Sequence, residues 1–275
     1  FEVLVSATDP FVADTDNDGI PDGWEWSHHL NPHDAADGTD DPDGDWLTNY
    51  QEYNGGSNSS NPHDVMVLAW GSNSDGQLEV PNYLRDVVQV TGGSDFSLAL
   101  RASGSVASWG YATNAFAGIS NIVQISAKWL QAAALRADGT VATWGTTYGS
   151  PPADLTNSTM TAAGAGHVLA LRNDGTVTAW GANNNQQCNV PTNLANAISV
   201  AAGFHHSVAL RSDGTVTAWG YSGITNWSIT TPPAGLSNVS AIAAGGFHTL
   251  ALKNDGTVVA WGAGATTNGN GSYLA

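Results

Sequence analysis

The sequence predicts an all-β fold, a β-propeller of short Trp-Gly repeats, preceded by a small acidic segment. Three observations carry that expectation. Trp-Gly recurs at Trp70, Trp109, Trp144, Trp180, Trp219 and Trp261, at intervals of 39, 35, 36, 39 and 42 residues, and self-similarity at such a period marks a repeat architecture. An Asp-Gly pair between two short β-rich runs precedes four of these dipeptides. Residues 1–64 hold 15 of the 24 acidic residues and none of the 7 Lys or Arg. The chain of 275 residues therefore reads as a strand or linker over 1–8, an acidic segment over 9–64 and propeller repeats over 65–275.

The charge distribution excludes some partners at once. The formal net charge is −17, and the first 64 residues carry −15 of it. A polyanion such as nucleic acid needs a basic patch to release its counterions, and none is present. An anionic membrane surface repels the chain for the same reason. Cys188 is the single cysteine, so neither an intrachain disulfide nor a Cys-rich metal site can form. No apolar run is long enough to span a bilayer. The first residues lack the basic start and apolar core of a signal peptide, so a secreted protein with this sequence is expected to be a mature or internal fragment. The short apolar run 1–6 is an isolated strand candidate.

Asp14, Asp16, Asp18, Asp22 and Glu25 stand at positions 1, 3, 5, 9 and 12 of a loop with Gly19 at position 6. This is the EF-hand spacing for a hard cation, which takes six to eight oxygens. The Ile20 carbonyl is the expected ligand at position 7. A second copy runs through Asp41, Asp43, Asp45, Leu47, Asn49 and Glu52, with Trp46 at the glycine position; there either the turn is strained or Gly44 moves the bend. Two calcium ions are expected. Short helices are predicted over 23–30 and 47–54, and each half ends in Asn-Pro-His-Asp, at 31–34 and 61–64. The duplicated segment resembles the thrombospondin type 3-like calcium repeats of bacterial surface proteins. That resemblance implies a rigid, calcium-dependent spacer, with Asp34 or Asp64 adding a ligand across the halves. With so many hard oxygens nearby, His28, His29, His33 and His63 do not argue for a transition metal.

Each interval shares the core spelled out by residues 243–262, Ala-Ala-Gly-Gly-Phe-His-Thr-Leu-Ala-Leu-Lys-Asn-Asp-Gly-Thr-Val-Val-Ala-Trp-Gly. It reads as strand, turn, strand. Asp138-Gly139, Asp174-Gly175, Asp213-Gly214 and Asp255-Gly256 are two-residue hairpin signals, and Ser103-Gly104 is a weaker one. A lone hairpin is marginal, so the units must stack, and radial stacking of four-stranded sheets makes a propeller. The repeat resembles that of the regulator of chromosome condensation family, with the shorter spacing of bacterial members such as the propeller-type β-lactamase inhibitory protein. Family propellers usually close with seven blades, whereas this sequence holds five full intervals. Either further repeats continue the polypeptide or an open arc exposes β-edges for neighbouring chains.

His167, His206 and His248 recur at one repeat position, filled by Phe96 and Gln131 in the first two units. Recurrence at scaffold register marks a structural hydrogen-bonding residue, and the Trp of each Trp-Gly reads as packing. Cys188 reads as an unreactive thiol. The segments after each Trp-Gly vary, and variable loops on a repeated scaffold are where specificity resides. They carry Tyr83, Tyr111, Phe116, Tyr148, Tyr221 and Trp227, of which Tyr111, Tyr221 and Trp227 are the chosen partner-binding residues. No nucleophile with a base and no phosphate loop appears in the repeats, so no enzyme is expected. The expected function is an extracellular or cell-surface calcium-binding module for a protein partner or for self-assembly through β-edges. The alternative is a secreted inhibitor or glycan-binding propeller.

Overall fold

A computed structural model describes residues 8, 12–44, 47–56, 59–60, 67–81, 84, 86–111, 119–145, 149–221 and 228–262, with the backbone of two short strands beyond them. The chain divides into two compact units. One comprises Phe1–Ser72, Leu78–Val88 and Arg101–Ser103, the other Asn73–Gln77, Gln89–Leu100 and Gly104–Ala275. Among the described residues no helix is long and apolar enough to cross a membrane.

In the first unit two short helices, α1 (Asp22–Ser27) and α2 (Asn49–Gly55), follow the acidic loops, with a 3-10 turn at Asp37–Thr39 between them. The duplication is visible in the backbone. Asp22 N donates to Ala13 O at 2.9 Å, and 27 residues on Asn49 N donates to Asp40 O at 2.9 Å. Thr48 caps α2 through a reciprocal bond with Gln51, which satisfies two of the helix's orphan N–H groups. Residues 67–70 form no strand, and Trp70 is 85 % exposed. The sequence places no hairpin ahead of that Trp-Gly, so the segment has no ladder partner. The terminal strand expected over 1–6, and the second tetrapeptide at 61–64, lie outside the described residues.

The second unit is built on five antiparallel sheets of three strands each. They are β1 (Val87–Gly92), β2 (Phe96–Arg101) and β3 (Val106–Gly110); β4 (Ile122–Lys128), β5 (Gln131–Arg136) and β6 (Val141–Gly145); β7 (Ser158–Ala163), β8 (His167–Arg172) and β9 (Val177–Gly181); β10 (Ala197–Ala202), β11 (His206–Arg211) and β12 (Val216–Gly220); β13 (Val239–Ala244), β14 (His248–Lys253) and β15 (Val258–Gly262). A separate pair joins β16 (Thr266–Thr267) to β17 (Tyr273–Leu274). This is a propeller-type arrangement with three ladder strands per blade where four were expected. The described residues between each of the first five Trp-Gly pairs and the next sheet run as turns, bends and irregular backbone and join no ladder.

The Asp-Gly hairpins also differ from the two-residue form. Arg136 N donates to Thr140 O and Gly139 N to Arg136 O, each at 2.9 Å, so the loop holds three residues. In the four Asp-Gly pairs the glycine has φ between +77° and +82° while the aspartate stays outside the left-handed region. That is a type I turn closed by a bulge, because a type I′ turn needs positive φ at both central residues. The aspartate favours it: Asp174 accepts from Thr176 N at 2.9 Å and from Thr176 Oγ1 at 2.6 Å. These bonds, repeated at Asp138, Asp213 and Asp255, hold each of the four carboxyls below the usual carboxylate range.

Apolar cores form between consecutive sheets. Trp180 packs with Ala133 and Leu135 of the sheet before it, Trp219 with Leu169 and Leu171, and Trp261 with Leu210. Burying such a ring and its aliphatic neighbours is the main favourable term, at roughly 25 cal/mol per Å² of apolar surface. The indole N–H groups follow a constant offset: Trp109, Trp219 and Trp261 Nε1 donate to the carbonyls of Gln77, Gln187 and Ile229 at 2.9, 2.9 and 3.1 Å, each 32 residues upstream. The glycine after the Trp is dictated by space. Gly181, at φ +108°, would place a Cβ 2.6 Å from Gly166 O and 2.8 Å from His167 Cα. The end sheets show what the inner ones cover: Val90 is 56 % exposed, whereas Ile125 and Val200 at the corresponding place are 2 % and 3 % exposed.

The recurring histidines tie one sheet to the next. His167 Nε2 lies 3.0 Å from Ser207 Oγ, and His206 Nε2 lies 3.0 Å from Thr249 Oγ1. The first strands of the sheets line a cavity of about 300 Å³. Lys128 Nζ reaches through it to donate to Ala202 O at 2.9 Å and also to Ala244 O. Burial lowers the pKa of this lysine, and the carbonyls supply its hydrogen-bond partners.

Candidate metal centre and recognition face

In the first acidic loop, carboxylate oxygens of Asp14, Asp16 and Asp18 lie within 4.8 Å of one another, and so do those of Asp18, Glu25 and Asp37. Glu25 is fully buried, and neither of its oxygens has a hydrogen-bond partner; one oxygen each of Asp16, Asp18 and Asp37 is in the same condition. Buried carboxylates without donors are costly. Burial first, then Asp16, Asp18, Asp37 and Asp22, push the Glu25 carboxyl up to about 8. Burial likewise raises Asp16, Asp18 and Asp37. A hard divalent cation answers both the missing donors and the repulsion, and the all-oxygen donor set suits calcium.

The loop is shaped to bring these oxygens inward. Asp14 accepts from Asn17 N at 2.7 Å and Gly19 N at 3.0 Å, while Ile20 N donates to Asp18 Oδ1 at 2.7 Å and the Ile20 side chain is buried beneath. Asp22 is turned to Thr15, accepting from its N and Oγ1 at 2.7 Å each. It braces the loop and is not one of the clustered acids. Among the described residues the further acid in the cluster is Asp37, from between the two loops, and not Asp34; Asp64 lies outside the described residues. Asp37 is held by Asn31 N at 2.8 Å, and Asp34 is exposed, with Ala36 N on its Oδ1. Gly38 follows because a Cβ there would lie 2.2 Å from Asp18 Oδ2. An Asp-Gly pair between the two loops was the available signal, but it falls outside the twelve-residue register.

In the second loop Gly44 has φ +79° and its N donates to Asp41 Oδ1 at 2.8 Å, so Gly44 takes the bend. Asp43 and Leu47 are half-buried, Glu52 is fully buried, and Asn49 Nδ2 donates to Asp37 O at 2.7 Å. Asp45 and Trp46 lie outside the described residues.

A second concentration of side chains lies at the end of the sheets where each first strand turns into the next. Trp129 and Phe204 meet edge-to-face at 5.6 Å, Phe204 and Phe247 at 5.4 Å and His205 and Tyr221 at 6.2 Å, while His205 and Phe247 are tilted at 5.9 Å. Tyr221 N donates to His205 O and Tyr111 N to Asp95 O, each at 2.8 Å, so the loops after Trp-Gly leave from this end. Tyr221 thus joins the cluster, and Tyr111 is 60 % exposed. Trp227, Tyr83, Phe116 and Tyr148 lie outside the described residues. Trp129, Phe204, His205 and Phe247 were missed because they sit in tight turns within the repeat core, where periodicity reads them as scaffold. Burial pushes the Cys188 thiol up to about 11, which disfavours the thiolate, and its Sγ donates to Ala182 O.

Residues 161–187, 197–223 and 239–271 match the regulator of chromosome condensation (RCC1) repeat, and residues 14–35 match the bacterial TSP3 repeat. No curated protein matches the chain. Among solved structures it is similar to the CRINKLY WD40 ectodomain of the Arabidopsis thaliana receptor kinase ACR4, at 24 % identity and TM-score 0.57, over 71 % of each chain. It is similar to Prp20p of Saccharomyces cerevisiae at 22 % identity and TM-score 0.58, covering 72 % of this chain and 67 % of that one. Against the ectodomain of the Physcomitrella patens receptor kinase CR4 the values are 23 % and 0.55, over 74 % of this chain and 58 % of that one. Likeness at this level is one of fold. The repeats are RCC1-like and the TSP3 match points to calcium; neither bears on the expected likeness to the β-lactamase inhibitory propeller.

Proposed function

We propose that this chain, with its RCC1-like repeats and bacterial TSP3 repeat, is an extracellular or cell-surface interaction module without catalytic activity. Its acidic segment holds calcium, with Asp14, Asp16, Asp18, Glu25 and Asp37 around the first ion and Asp41, Asp43, Asp45 and Glu52 around a second. The observation that carries the interaction reading is the aromatic cluster from Trp129 to Tyr221, borne on backbone that is bonded from sheet to sheet: Ser94 N donates to Trp129 O at 2.8 Å and Phe204 N to Gly246 O at 3.0 Å. Aromatic anchors on a rigid base are what a binding face needs, since little conformational freedom is lost on docking. A protein partner fits this surface, and yeast RCC1 has itself been solved bound to Kap60. Loops that suit millimolar calcium favour an extracellular setting.

A photo-reactive phenylalanine analogue at Phe247 tests the reading in the surface fraction of the source cells. Labelling of a discrete partner from Phe247, and none from the same analogue at exposed Val123 on the opposite end of its strand, is the expected result. Equal labelling from both positions overturns it. Self-assembly is a second reading, favoured by the uncovered faces of the end sheets at Val90 and Val258, which are 56 % and 57 % exposed.

A further inference from the structure

We propose that the hollow beside Trp129 is a binding site for a neutral saccharide unit. The inference deepens the interaction reading and rests on it. The hollow, of about 350 Å³, has the aromatic Trp129, Phe204 and His205, the small Ala165 and Gly166, and the amides Asn184 and Asn185 among its lining residues. It exists because the third sheet has Ala165 and Gly166 where the fourth has Phe204 and His205. Small residues between large ones leave a hollow the size of a ligand pocket.

Its chemistry selects the ligand class. None of the lining residues is Asp, Glu, Lys or Arg, so a charged group entering it would lose hydration with no countercharge. Aromatic faces carry negative charge density and attract the weakly positive C–H face of a pyranose ring. Asparagine amides offer both donors and an acceptor, the pairing that neighbouring sugar hydroxyls require. A lining that combines aromatic rings with amides thus matches a ring with one C–H face and a hydroxylated edge.

The backbone at Trp129 is the second, independent observation. Lys128 pairs with Gln131, so Trp129 and Leu130 form a two-residue turn, and Trp129 has φ +55°. Positive φ at the first position alone is the place of glycine in such turns. Ser94, Ala165, Phe204 and Gly246, at the corresponding positions, are outside the left-handed region. A bulky residue held in a conformation that suits glycine, and 49 % exposed as a residue, is unfavourable for folding and points to a role at the surface.

That strain makes the test decisive, because Trp129→Gly relieves the backbone and removes the ring together. The full chain with calcium is screened against neutral β-1,4-glucan, α-mannan and N-acetylglucosamine oligomers, with sialylated and uronic-acid oligomers as charged counterparts. Hits are then titrated by intrinsic fluorescence. Binding of at least one neutral class is expected. Trp129→Gly should weaken it at least tenfold while leaving Tm unchanged or higher, and Asn184→Ala should weaken it several-fold. No binding of any neutral oligomer at 10 mM, a preference for the charged oligomers, or unchanged affinity in Trp129→Gly would each overturn the proposal. The source of the sugar is read by treating the partner labelled from Phe247 with glycosidases. Loss of capture assigns the sugar to a glycoprotein; retained capture alongside oligomer binding assigns it to a free polysaccharide. Retained capture without oligomer binding defeats the saccharide inference and leaves the interaction reading standing.

Discussion

The ring nitrogen His206 Nε2 lies 3.0 Å from the hydroxyl Thr249 Oγ1 of the next sheet, with both side chains fully buried. The bond joins neighbouring blades where no backbone ladder does. Thr249→Val keeps the shape and leaves the imidazole without that partner, so a loss of about 1–3 kcal/mol is expected. Chemical denaturation of the full chain measures it. The same substitution at exposed Thr159 should change stability by under about 0.5 kcal/mol.

Acid should weaken the propeller unit before its carboxylates protonate. Burial lowers the His206 pKa from 6.5 to about 4, with Lys128 adding to the effect, and lowers that of His167 to about 3. The unfolded chain then binds protons below pH 6.5 that the folded chain refuses, so stability falls as the pH drops from 6.5 towards 4. For His206 alone the full effect is on the order of 3 kcal/mol. Gln131 shows that an amide fits this register, being 4 % exposed. His206→Gln should therefore flatten the fall of Tm between pH 6.5 and 4, and an unchanged slope would mean that His206 is not the group responsible.

The glycine of each Trp-Gly pair should resist substitution. Gly181→Ala must place its Cβ against Gly166 O and His167 Cα at φ +108°, which combines left-handed strain of about 1–2 kcal/mol with backbone collision. A loss of roughly 3 kcal/mol or more is expected. Gly235→Ala is the control: φ is +79° and nothing lies within 4 Å of the added carbon, so strain alone should remain. Thermal melts of the two variants should differ clearly.

Calcium should bind in the acidic segment with Asp37 as a contributor. Asp37→Asn and Asp16→Ala should each weaken the first site at least tenfold by calorimetry, whereas Asp34→Asn should leave it within about twofold. Chelation should make 9–64 sensitive to protease and leave the sheets resistant. Equal effects at Asp34 and Asp37 would show that the cluster is not the ion's shell. The absence of calcium binding at millimolar concentration would remove the metal reading entirely.

Local rules explain how much was legible from the sequence. The Trp-Gly period, the Asp-Gly turns and the alternating strands are short-range signals, and they marked the five sheets and the acidic loops by residue. Sequence alone also brought Asp14, Asp16, Asp18 and Glu25 together, because one tight loop and one helical turn set their spacing. Contacts between elements distant along the chain were decided only by the tertiary structure. Asp37 enters the first loop through a turn twelve residues beyond Glu25, and Asp22 turns away to Thr15. Trp129, the Phe204-His205 pair and Phe247 belong to three separate stretches of repeat core, and only the stacking of sheets puts their rings within contact distance. Periodicity reports which face of a strand is buried; it carries no information about which turns of neighbouring blades converge.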